Sequence, residues 1–166
     1  MKKLAGALSV WGLFIFLSLH SQAQPTNGLL AYYALEGNVN DGSGHNLNGT
    51  AFNGVTYVSH LSGQAAHLSG ASQYISLPGT IQTSTDLTVT FWVKTGASTP
   101  DSFPWGLFLV SRDIAFPNYD WNICIAQGRK IEFHTGSPAE DYLLLYSPSD
   151  IASNEWVHVA CVASSG

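Results

Sequence analysis

Leu87, Val89, Phe91 and Val93 alternate with Thr88, Thr90, Trp92 and Lys94. A period of two places the first set on one side of an extended chain and the second on the other. That is the pattern of a half-buried antiparallel strand, and it predicts one over 86–95. Shorter apolar runs predict further strands at 29–35, 55–58, 65–68, 73–77, 105–111, 121–126, 129–135, 142–147 and 156–163. Turn chemistry separates them: Asn40 to Gly44 is a dense turn cluster, and Pro78-Gly79 follows 73–77. Gln127-Gly128 is expected to form a two-residue hairpin loop in which Gly128 supplies a positive φ. No segment beyond the N-terminal apolar run repeats apolar residues at i, i+3, i+4 and i+7. Many short strands without helical connections predict an all-β, two-sheet antiparallel sandwich.

The N-terminus is of a different kind. Lys2 and Lys3 precede an apolar run from Leu4 to Leu19, and His20 to Ala23 is polar with small residues at Ser21 and Ala23. This is the layout of a signal peptide cleaved between Ala23 and Gln24. The run falls short of the roughly 20 apolar residues that a spanning helix needs. Residues 1–23 are therefore expected to be a leader and 24–166 the domain, with no membrane span after cleavage. The protein is expected to be secreted, extracellular or held at the cell surface.

Only 10% of the 166 residues are charged, and the formal net charge is −5. Beyond Ala23 the only Lys and Arg residues are Lys94, Arg112, Arg129 and Lys130, against 11 acids. Such a chain cannot neutralise a phosphate backbone, which excludes nucleic acid as a partner. Two cysteines in an exported protein invite a disulfide. Parity opposes it: Cys161 shares a side with Val157 and Val159, whereas Cys124 lies opposite Ile123 and Ile125.

Four ordered segments then carry a resemblance. Gly28 to Thr50 (GLLAYYALEGNVNDGSGHNLNGT) resembles the opening of bacterial laminin G-like, concanavalin A-like lectin/glucanase domains. Gly63 to Pro78, Leu87 to Lys94 and Glu155 to Ala160 are similar to three later segments of that family. The resemblance implies a jelly-roll sandwich over 24–166. Family domains continue past the last of these segments to a closing strand, so the resemblance also implies a fold incomplete at the C-terminus. A short variant with rearranged edges is the alternative.

Candidate chemistry falls in three places. Asn38 and Asp41, in a turn rich in oxygen donors, are the candidate ligands for calcium, a cofactor that the resemblance also implies there. The same side chains would otherwise cap their own turn. Trp105, Arg112, Asn118, Tyr119, Asp120 and Trp121 combine aromatic surfaces with hydrogen-bonding groups, the mixture that sugar recognition uses. Trp105, Trp121 and Phe116 would otherwise anchor their loops. An enzyme of the glucanase kind would need paired carboxylates flanking the scissile bond. Glu132 has Lys130 and His134 as same-side neighbours, and Glu140 and Asp141 point opposite ways, so no catalytic residue is assigned. The chain is expected to be a non-catalytic binding module for a glycan or an extracellular protein. A structural spacer and a degenerate hydrolase relative are the alternatives.

Overall fold

The structure, a computed structural model, describes residues 27–60, 63–70, 72–79, 86–97, 106–113, 119–135 and 143–164. Residues 1–23, the expected leader, and the expected cleavage site after Ala23 lie outside them. Ten strands are present among the described residues: β1 (Thr50–Phe52), β2 (Thr56–His60), β3 (Gly63–His67), β4 (Tyr74–Ser76), β5 (Leu87–Lys94), β6 (Leu107–Asp113), β7 (Tyr119–Ala126), β8 (Lys130–Thr135), β9 (Leu143–Tyr146) and β10 (Trp156–Ala163). Every strand pair is antiparallel. The chain divides into two compact units, Met1–Ile81 and Gln82–Gly166.

In the first unit β1 pairs with β4 and β2 with β3. The strand expected at 29–35 is replaced by loop, with a single bridge between Tyr33 and Asp41. The reason is local. The Tyr32 amide donates to the Asp41 carboxylate at 3.0 Å instead of to a ladder carbonyl. Leu35 has φ 58, a left-handed conformation that ends extension and that a bulky residue rarely adopts. β1 is a strand that the alternation did not anticipate; with three residues it is too short to show a period.

In the second unit β6, β7, β8 and β9 form a four-stranded meander, while β5 pairs with β10. Alternation turns one side of each sheet inward. Ile123 and Ile125 of β7, Ile131 and Phe133 of β8, and Val159 and Cys161 of β10 share one core cluster with Trp121 and Ile151. Leu87, Val89, Phe91 and Val93 of β5 pack against it. These are the two layers of a sandwich, as the pattern over 86–95 requires. Register shifts in the β6–β7 pairing let the consecutive Leu109 and Val110 both pack on the core. The β7–β8 loop has three residues, not two, because Ala126 pairs with Lys130. Gly128 takes the left-handed position there with φ 71.

Ile123 is fully buried, whereas Val162 is 58% exposed on the outer side of β10. Ile123→Ala is expected to cost about 2–5 kcal/mol, and Val162→Ala to stay within about 0.5 kcal/mol. Urea titration followed by tryptophan fluorescence measures both, and equal losses would contradict this layering.

Candidate functional site

Because Ile123, Ile125, Ile131 and Phe133 face the core, the residues between them face the other side of the meander. Register then selects their neighbours. Cys124 lies opposite Phe108 on one flank and Glu132 on the other. Glu132 lies opposite Tyr146, Asn122 opposite His134, and His134 opposite Leu144. One side of one sheet therefore collects a carboxylate, an imidazole, a primary amide, a thiol and a phenol.

The group is held together internally. Cys124 and Tyr146 flank Glu132 in cross-strand register, with the thiol and the hydroxyl on the same side as its carboxylate. The Asn122 side-chain nitrogen lies 3.0 Å from His134 Nδ1. Burial first, then the neighbouring Glu132 carboxylate, push the Cys124 thiol up to about 12. The same causes, with the Cys124 charge added last, raise Tyr146. Gly106 closes over the thiol: a Cβ there would meet Cys124 Sγ at 2.6 Å and the Ile125 carbonyl at 2.8 Å. Phe108, Leu144 and Tyr146 are about half exposed, so the rim of this side stays open while Asn122 and Cys124 are buried.

In the first unit the conspicuous turn is a capping knot. Asp41 Oδ1 accepts from the amides of Tyr32 (3.0 Å) and Ser43 (2.9 Å). Its Oδ2 accepts from the Ser43 hydroxyl (2.7 Å) and the Leu47 amide (3.0 Å). Partial burial opposes ionisation, but the amides of Tyr32, Ser43 and Leu47 and the Ser43 hydroxyl outweigh it, holding the carboxyl well below the usual carboxylate range. Asn38 Oδ1 accepts from the Asn40 amide, and its nitrogen donates to the Glu36 carbonyl. Glu36 in turn accepts from the Gln64 amide at 2.7 Å, and a Cβ on Gly63 would fall on the Glu36 carboxylate.

These residues do not fit calcium. The ion needs free oxygen lone pairs, whereas four donors already point at Asp41 and one at Asn38. Capping is the use the geometry supports. Among the described residues no group of three or more His, Cys, Asp or Glu is placed to hold a metal.

The anticipated sugar-binding loop is only partly described. Trp105, Asn118 and Phe116 lie outside the described residues, as do Glu140 and Asp141. Tyr119 and Asp120 open β7, described by backbone alone. Arg112 is half-buried and lies opposite Trp121. Trp121 corrects the expectation of a sugar platform: it is 8% exposed and belongs to the core, where no sugar reaches its ring. Both cysteines are free, and Cys161 points into the core as its parity requires. Cys124 is also fully buried, on the other side of β7. Sequence reasoning saw that Lys130, Glu132 and His134 share a side. It missed the partners Cys124, Tyr146 and Asn122, since cross-strand register has no signal in a single segment.

One family model matches, that of Laminin_G_3 in the concanavalin A-like lectin/glucanases superfamily, over residues 69–166. The match covers more than half of the chain and contains the whole four-stranded meander. Neither a curated protein nor a solved structure matches the chain.

Two pH effects follow, of opposite sign. The depressed Asp41 carboxyl contributes stability that is fully present above its unfolded pKa of about 3.9 and is lost as pH falls toward the lower folded value. Amide exchange at Ser43 and Leu47, corrected for intrinsic rates, is expected to accelerate below about pH 4, and in Asp41→Asn at every pH. The Cys124 thiol stays protonated in the fold while an unfolded one ionises near 8.5. Stability is therefore expected to decline as pH rises above about 8.5, and less so in Cys124→Ser. Amide exchange by NMR and urea titrations from pH 3 to 10 test both signs.

Proposed function

Since the chain belongs to the laminin G-like family Laminin_G_3 of the concanavalin A-like superfamily, we propose that it is an exported, non-catalytic module that binds carbohydrate on the polar side of the β6–β9 meander. The observation that carries this reading is the pairing of Glu132 with Tyr146 and of Asn122 with His134 inside an open rim of Phe108, Leu144 and Tyr146. Half-exposed rings and apolar groups suit the apolar faces of sugar rings. The half-buried Glu132 carboxylate offers hydrogen-bond acceptors to hydroxyls, and its register beside Tyr146 holds it ready without reorganisation.

Catalysis is a poor match for this set. Glycoside hydrolysis takes two carboxyl groups roughly 5–9.5 Å apart across the bond. Among described side chains, Glu132 is the one carboxylate on this side of the meander. Asp120 lies four residues along β7 from Cys124, the cross-strand partner of Glu132. At about 3.3 Å per residue that is roughly 13 Å along the strand, too far for such a pair. Export rests on the leader-like residues 1–23.

Glycan-array screening followed by calorimetry tests the reading. Wild type is expected to capture a glycan, and Tyr146→Ala to weaken it about tenfold while remaining folded. A chelator is expected to leave binding unchanged, and no reducing sugar is expected to be released. Failure to capture any glycan would favour a structural spacer. Sugar release abolished by Glu132→Gln would favour a hydrolase.

A further inference from the structure

The second unit has another open surface, on the outer side of β5 and β10. Register sets Trp92 opposite His158 and Lys94 opposite Trp156, so all four share that side. The Trp92 and His158 rings lie 5.2 Å apart between centroids, with planes tilted by 55°. Trp92 is 53% exposed. His158 and Lys94 are exposed and Trp156 is half-buried. The neighbouring outward positions of β5 hold Thr88 and Thr90, the small polar residues that a solvated strand ordinarily carries. Trp92 departs from that pattern with a large ring that the core does not need.

Charge distinguishes this surface from the rest of the chain. The whole sequence has 6 Lys and Arg against 11 acids, yet one of those cations stands beside two indoles and an imidazole. Between the aromatic end and the far end of this side, the residues are Thr90, Ala160, Thr88 and Val162, all uncharged. Asp86, just before β5, is the acid of matching parity. It stands eight residues from Lys94, roughly 26 Å away at about 3.3 Å per residue. The aromatic end is thus a ring-bearing strip that carries one cation, Lys94, with the exposed Glu155 adjoining Trp156 at its margin.

We propose that this strip is a second saccharide site, selective for sugars that carry a negative charge. The indoles of Trp92 and Trp156 stack on sugar-ring faces. The Lys94 ammonium and the His158 imidazole N–H meet a carboxylate or sulfate oxygen, an electrostatic match that selects against uncharged chains. The site is separate from the polar side of the meander, because β5 and β10 turn their inner sides to the core and their outer sides away from it.

Calorimetry with three hexasaccharides tests this: a hexauronate, a sulfated hexasaccharide and an uncharged β-glucan. At low salt wild type is expected to bind at least one anionic chain about tenfold or more tightly than the uncharged one, with the margin shrinking as salt rises. Which anionic chain binds more tightly identifies the charged group. Trp92→Ala and Lys94→Glu are each expected to weaken anionic binding about tenfold or more, and Lys94→Arg to retain it. Tyr146→Ala is expected to leave it unchanged, which separates this site from the one on the meander. Equal affinity for charged and uncharged chains would overturn the proposal. So would no binding of any of the three, no effect of Lys94→Glu in a protein folded by circular dichroism, or loss of anionic binding in Tyr146→Ala. Anionic binding that survives while every uncharged glycan fails would defeat only the carbohydrate site on the meander.

Discussion

The second unit depends on the burial of Ile123, Ile125, Ile131 and Phe133 against the inner sides of β5 and β10. Side chains along a strand alternate, so committing these four to the interior leaves the intervening residues no choice of side. Asn122, Cys124, Glu132 and His134 must then stand on the opposite side of the meander. A slip of one residue in β8 would put a carboxylate and an imidazole into an apolar core and expose Ile131 and Phe133, and the same slip in β7 would expose Ile123 and Ile125. The core therefore determines the position of the chemistry as well as the stability of the layers.

The turn at 36–49 works in the opposite direction. Its residues are the most recognisable in the chain, and they are occupied with one another. Asp41 takes four donors, Asn38 closes its own turn, and Glu36 reaches the start of β3. Such a run identifies a loop that needs many side-chain caps because its backbone has few ladder partners. The meander residues Asn122, Glu132 and Tyr146 lie in strands outside the four segments that carry the resemblance. A family resemblance carried mainly by caps and core positions therefore says more about fold than about activity.

The two open sides of the second unit differ in chemistry although the same core supports both. The meander presents the Glu132 carboxylate and the hydrogen-bonded Asn122–His134 pair within a half-exposed rim. The β5–β10 pair presents indoles beside a cation. Each rests on a sheet whose inner side is packed. Trp92 and Trp121 make the contrast concrete: both belong to strands with clear alternation, yet one indole is 53% exposed and the other 8%.

Much of this could be read from the sequence. Alternation over 87–94, 130–135 and 156–163 located three strands and the inward side of each, since period two follows from the geometry of one extended segment. It also separated the two thiols. Alternation alone could not decide which turns close on which, nor that 29–35 would surrender its amides to Asp41. Those outcomes depend on partners distant in the chain. The same holds for Glu132. Its own strand shows only Lys130 and His134, while Cys124 and Tyr146 reach it through the register of two other strands. Side is a local property, legible residue by residue; neighbourhood is a cooperative one, settled only when the strands pair and the core closes.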